Sequence, residues 1–191
     1  MLLASSSPAL ADPAPVFGAR DRNVLTAENI FGSLELNEKR GEDKDTSSFT
    51  QHYMPFAGLT QLGYHRVLEG NQLTLGINVY ASRVKEEGGD AQFVALLRPR
   101  VGYVLPVSPL FALWLRGGVL VAHQQSEGGK ANALSAGVDV LGVVTPAPHV
   151  GIFGGILFEA PVWGRAKPRD GESVKYQISS SGLTIGALVD F

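Results

Sequence analysis

The chain has 191 residues, enough for one domain, and a net charge of −2, which gives no positive field to attract nucleic acid or an anionic bilayer surface. The absence of cysteine excludes a disulfide framework, a thiol nucleophile and a cysteine-ligated metal. The mean hydropathy of +0.09 is too low for a bundle of transmembrane helices, and the most apolar window, residues 110–122, is short and contains Arg116. A membrane barrel tolerates this average because only alternate strand residues face lipid.

The first residues are typical of a processing signal. Leu2 and Leu3 precede a run of small residues, and Ala9-x-Ala11 fits a signal-peptidase site. We therefore expect residues 1–11 to be the remnant of a signal peptide, 12–25 an N-terminal extension and 26–191 a β-barrel. The alternative is a disordered tail rich in serine, proline and alanine.

Two weakly patterned strands are predicted first, at residues 29–38 and 56–68, and the second of them is irregular. Clear alternation of apolar with polar or small residues follows, and this period of two indicates strands rather than helices. The segments are 73–82, 93–105, 111–124, 134–144, 150–162 and 182–191. The last of them has a single apolar residue, Leu188, in its polar row.

Short and long connections alternate between these eight strands. Residues 69–72, 106–109 and 145–149 are rich in turn formers, whereas polar loops are predicted at 39–48, 83–90, 126–132 and 165–175. No helical pattern separates the strands, as a crossover connection would require. The sequence therefore predicts an all-β fold, an eight-stranded antiparallel up-and-down barrel with its short turns at one end.

The charges in the strands avoid the apolar rows. Three arginines and three carboxylates occupy the opposite rows, where they are typical of an ion-pair network in a narrow lumen: Glu35, Arg98, Arg100, Arg116, Asp139 and Glu159. This favours apolar rows facing lipid, and so a transmembrane barrel. A soluble lipocalin-like carrier of an apolar ligand, with those rows inside, is the main alternative.

Aromatic residues near the strand ends are candidates for the girdles that border the apolar band of a membrane barrel. They are Tyr64, Tyr103, Phe111, Phe158, Trp163 and Phe191.

The last nine residues carry the one resemblance to a known family. The C-terminal run with Leu183, Ile185, Ala187, Val189 and Phe191 on one face resembles the terminal strand of Gram-negative outer-membrane proteins, and the whole pattern is similar to small OmpA- or OmpX-like barrels. The resemblance implies residence in the outer membrane, contact with its lipid and lipopolysaccharide, and recognition of the final strand by the outer-membrane assembly machinery.

The sequence gives no specific function. We expect a non-enzymatic barrel that serves envelope integrity or surface interaction through its long loops, without metal, cofactor or nucleic acid. A lipid-modifying enzyme using His123, Ser126 and Glu159 is a third hypothesis. The basic last loop is either a solvated loop or a contact for lipopolysaccharide phosphates, and the lumen charges are either a static plug or a conduction path.

Overall fold

The computed structural model describes residues 17, 22–40, 45–53, 59–68, 72–85, 91–169 and 171–191. The expected signal-peptide remnant, residues 1–11, lies outside this part of the chain. The described residues form nine strand segments: β1 Arg22–Arg40, β2 Asp45–Tyr53, β3 Leu59–Val67, β4 Leu73–Lys85, β5 Ala91–Ser108, β6 Phe111–Ser126, β7 Gly129–Ala147, β8 Val150–Pro168 and β9 Val174–Asp190. They include no helix that is both long and apolar enough to cross a membrane.

These nine segments fill eight positions of a closed antiparallel barrel. β3 pairs with the first half of β1, and β2 pairs with its second half, so the two share one strand position. Residues 54–58, which lie outside the described part of the chain, separate the two segments in sequence. β1 also pairs with β9, from Val24 opposite Asp190 to Lys39 opposite Lys175, and this pairing closes the barrel. The predicted fold class is confirmed.

The strands are longer than the sequence indicated. β1 begins at Arg22 rather than near residue 29, and β6 and β7 are joined by only Glu127 and Gly128 where a loop over 126–132 was predicted. β8 continues to Pro168, which leaves 169–173 of the predicted loop 165–175 as the connection. Polar residues were misread as loop because a strand that has left the membrane can be polar on both faces and still keep its ladder.

The apolar rows of side chains face outward and the polar rows face the lumen, as a membrane barrel requires. On β9 the residues Leu183, Ile185 and Val189 are about half exposed, whereas Thr184 and Leu188 are buried. β4, β5 and β8 show the same alternation, with apolar residues outside and most of the polar ones inside. Apolar rows outside and ionised rows inside are the reverse of a soluble carrier, so that alternative is wrong.

Three layers fill the lumen. A lower apolar cluster lies at the end of the short turns and consists of Phe17, Val24, Val67, Val104, Ala112, Trp114, Leu141, Val143, Phe153 and Leu188. An upper apolar cluster lies toward the other end and consists of Leu96, Leu120, Ala122 and Ala133. Ionised side chains lie between them, because Arg116 stands between Trp114 and Leu120 on the inward row of β6. Leu188, the exception in the terminal alternation, belongs to the lower cluster.

Gly117–Gly118 on β6 and Gly154–Gly155 on β8 are two pairs of adjacent glycines, and in each pair one glycine lies where a neighbouring strand comes very close. A Cβ on Gly118 would collide with the backbone oxygen of Pro99, and one on Gly155 with that of Val140. Their neighbours Gly117 and Gly154 have only ordinary contacts, beginning at 3.8 and 3.7 Å.

We expect Gly118→Ala and Gly155→Ala each to lower the free energy of unfolding by about 1–3 kcal/mol, since backbone must move to admit the methyl group. Gly117→Ala and Gly154→Ala are matched controls and should change it by less than about 0.5 kcal/mol. Urea titration followed by the mobility of unboiled samples on gels measures the difference. Equal effects within each pair would contradict the close approach.

Candidate functional site

The most organised polar site in the described chain is the charge network in the middle of the lumen. At its centre, Arg116 donates to both oxygens of Glu28, at 2.6 and 2.9 Å, and to both oxygens of Asp139, at 3.1 and 2.8 Å. Asn78 donates to Glu28 at 2.8 Å, and Thr26 donates to it at 3.0 Å. The bidentate pairs of Arg116 with Glu28 and with Asp139 have the geometry of the strongest carboxylate–guanidinium contacts.

A second part of the network surrounds Glu159. This carboxylate accepts hydrogen bonds from Arg98 at 3.0 Å, from Arg100 at 3.3 Å and from the hydroxyl of Ser180 at 2.5 Å. Arg100 also lies 3.9 Å from Asp139, which links the two parts. Three guanidinium groups therefore face three carboxylates, and all six residues are at most 4% exposed. The balance leaves no net charge to attract a counter-ion.

The structure brings together five residues of the predicted set and adds one that was not predicted. Arg98, Arg100, Arg116, Asp139 and Glu159 lie together in the lumen. Glu35 lies in β1, where only its backbone is described, and the third carboxylate of the network is Glu28. Glu28 was missed because the predicted strand began at residue 29, whereas β1 begins at Arg22. The alternation of Thr26, Glu28 and Ile30 with Leu25 and Ala27 carried the signal.

Trp114 is the main residue of the lower apolar cluster. Its ring makes edge contacts with Phe17, His65 and Phe153, at centroid distances of 5.1, 4.8 and 6.3 Å, and its Nε1 donates to the hydroxyl of Thr74 at 3.0 Å. Phe17 belongs to the predicted N-terminal extension, yet it is buried inside the barrel. The cluster therefore separates the charge network from the short-turn end.

The upper apolar cluster separates the network from the opposite end. Leu120, Ala122 and Leu96 are buried, and partly buried side chains pack around them: Tyr80, Val94, Ala131 and Ala166. In the described part of the lumen, ionised groups are thus enclosed by apolar side chains above and below. Such a site can hold the strands in register.

Four of the six predicted girdle aromatics lie toward the short-turn end of their strands: Tyr64, Tyr103, Phe111 and Phe191. The hydroxyl of Tyr64 donates to Asn23 at 2.6 Å. Phe158 and Trp163 project outward farther along β8. Phe93, at the far end of β5, is exposed in the same manner and was not among the predicted residues.

An ion pair joins β1 and β9, the two strands whose pairing closes the barrel, at the short-turn end. Arg22 donates to both carboxylate oxygens of Asp190, at 2.8 and 2.7 Å, and Nδ1 of His149 lies 2.9 Å from the same group. The backbones of Asn23 and Phe191 exchange two hydrogen bonds of 3.0 and 2.9 Å. The predicted terminal row of Leu183, Ile185, Ala187, Val189 and Phe191 faces outward beside this seam.

The residues of the enzyme hypothesis do not come together. His123 lies 2.8 Å from Asn132 and packs beside the outward-facing Phe93, with ring centroids 6.4 Å apart. Glu159 is buried on the other side of the wall and is bonded to Arg98, Arg100 and Ser180. A carboxylate so placed does not orient the imidazole, so no observation favours this hypothesis.

Comparison with solved structures finds the same fold in outer-membrane proteins. The Neisserial surface protein A, NspA, is similar with a TM-score of 0.57 and 11% identity, over 88% of this chain and 97% of that one. A major outer membrane protein from Thermus thermophilus is similar with a TM-score of 0.52 and 13% identity, over 90% and 99%. Neither a family model nor a curated protein matches this chain. The chain has the fold of an eight-stranded outer-membrane barrel, and its apolar rows face outward.

Proposed function

We propose, from the premise that this is an eight-stranded outer-membrane β-barrel, that it is a non-conducting and non-enzymatic protein of the bacterial envelope. Its barrel is a rigid anchor in lipid, and its long strand ends carry polar surface beyond the membrane for contact with lipopolysaccharide or other surface partners. The observation that carries the proposal is the lumen, in which a balanced charge network lies between two apolar clusters.

A rigid anchor agrees with the energetics of this lumen. A buried ion pair is weak evidence for net stability, but breaking it by removing one partner is costly. Arg116 on β6 pairs with Asp139 on the neighbouring β7 and also reaches across the lumen to Glu28 on β1, which is not a neighbour of β6 in the sheet. The network therefore favours one arrangement of the strands over others. This is expected of a rigid barrel and not of a channel whose lumen opens and closes.

The terminal strand supports a second element of the proposal, recognition by the outer-membrane assembly machinery. The backbone edge of β9 is unpaired until it meets β1, and the pair of Arg22 with Asp190 forms only when that seam closes. We place recognition in the open state, before closure.

Two measurements test the proposal. The folded protein should stay in the membrane fraction and change its gel mobility on boiling. In planar bilayers it should give no discrete conductance steps, because each apolar cluster blocks the polar layer. A boiled sample is the matched control for detergent artefacts. Single-channel steps from the unboiled protein would contradict a sealed lumen, and recovery in the soluble fraction would contradict the membrane assignment.

A further inference from the structure

Four cations form a continuous patch on the outer wall at the far end of β7, β8 and β9. This basic cluster consists of Lys130, Arg165, Lys167 and Lys175, all of them exposed or partly exposed. Ala131 and Ala166 pack against the upper apolar cluster inside the barrel, so the residues beside them in the strand face outward. Lys175 is directly opposite Arg165 and shares its face.

The register places like charges against each other. Lys130 is opposite Lys167, and Arg165 is opposite Lys175. Directly opposed residues have Cβ atoms about 4.5–5.5 Å apart, and like charges there are destabilising. Within the described part of the chain, none of the four forms an ion pair with a carboxylate. An anionic ligand would remove this repulsion.

The cluster lies just beyond the hydrocarbon. A tilted strand crosses the apolar band in about 10 residues, which ends the crossing near residue 159 when counted from the start of β8. The pairing of β8 with β9 stops at Glu159 opposite Ser180 and resumes at Arg165 opposite Lys175. Unpaired backbone is not tolerated against lipid tails, so this break belongs to the headgroup layer. The cations stand at its far side.

An open trough of about 540 Å³ lies at the same break. Its lining includes Val138 and Phe158, which are 57% and 55% exposed, Ser179 and Ser181 of β9, and the buried Glu159 and Ser180 of the charge network. All of its lining residues lie on β6 to β9, and six of the ten are on the rows that face outward, so it opens on the outer surface of the barrel. Outward apolar residues and serines, with the cations farther along the same strands, match an amphiphile with a polar, anionic head.

We propose that this trough and the basic cluster bind one amphiphile, the phosphorylated glycolipid of the outer leaflet, lipid A with its inner saccharides. Arg165 and the three lysines hold the phosphate groups, Ser179 and Ser181 contact the sugars, and Phe158 and Val138 pack against an acyl chain. The proposal rests on the membrane assignment made above and names the lipid and the face that binds it.

Binding of purified lipid A to the folded protein in maltoside micelles tests the site, with enzymatically dephosphorylated lipid A as the second probe. We expect the phosphorylated form to bind at least roughly tenfold more tightly, since several cations contribute. Arg165→Gln should weaken it roughly fivefold, the effect of one cation at a charged surface. Changing all four cations to Gln should remove the preference for the phosphorylated form.

Arg83→Gln is the matched control, because it removes an exposed cation from the far end of β4, four positions around the barrel from β8. It should leave lipid A binding unchanged. Equal binding of both lipids, an equal loss in Arg83→Gln, or displacement of lipid A by inorganic phosphate or by a sulfated saccharide at low concentration would overturn the proposal. A protein that remains heat-modifiable and non-conducting while failing this test would refute the lipid site alone.

Discussion

Arg116→Met is expected to lower the free energy of unfolding by about 3–5 kcal/mol, because it leaves two buried carboxylates without their shared partner. Arg116 supplies two hydrogen bonds to Glu28 and two to Asp139, and its guanidinium also lies 4.6 Å from the centre of the Trp114 ring. Methionine keeps much of the apolar stem and removes the charge. Urea unfolding in vesicles, read from gel mobility, gives the change.

A double-mutant cycle with Glu28→Gln separates this pair from a general packing loss. The double variant should lose at least about 1 kcal/mol less than the sum of the two single losses, since each change removes the need for the other. Arg83→Met, at an exposed position, is the control and should change the free energy of unfolding by less than about 0.5 kcal/mol. Additive effects at Glu28 and Arg116 would mean that the network does not couple these strands.

The sequence was sufficient for the barrel and for most of the charge network because both follow from a period of two. Arg98, Arg100 and Arg116 fall in the rows opposite the apolar residues. If the apolar rows face outward from a closed sheet, these three side chains must all point into the lumen. The partners could not be assigned in this way. Which carboxylate meets Arg116 depends on shear and on lumen packing, and Glu28 is 88 residues away from it in sequence.

The apolar clusters were harder to predict for a related reason. Trp114 falls on the inward row of β6, but a row mixing tryptophan, arginine and glycine does not reveal that its tryptophan joins a separate layer. The burial of Phe17 could not be predicted from the sequence, because this residue lies outside every alternating segment. Only the folded structure shows that it packs in the lumen. Leu188 does not fit the polar row of β9 when that strand is considered alone. It fits the complete barrel, because it packs in the lower apolar cluster with residues of the other strands.

Trp114→Ala should produce a loss as large as that of Arg116→Met, about 3–5 kcal/mol, because it removes a fully buried ring that fills the lower apolar cluster. The ring contacts Phe17, His65 and Phe153, and it covers one face of the Arg116 guanidinium. Its deletion creates a cavity directly beneath the ion pairs. Trp114→Phe should cost less, since it retains an aromatic ring and loses mainly the hydrogen bond to Thr74.

The chain contains only one other tryptophan, Trp163, which faces outward on β8 and is 52% exposed. Trp163→Ala is therefore the matched control and should cost less than about 1 kcal/mol in the same urea titration. In Trp163→Phe, the fluorescence of the remaining Trp114 should resist quenching by aqueous iodide until the barrel unfolds. Free quenching of Trp114 in the folded state would mean that water and ions enter from the short-turn end. The charge network would then line an accessible path, and a static plug would no longer describe it.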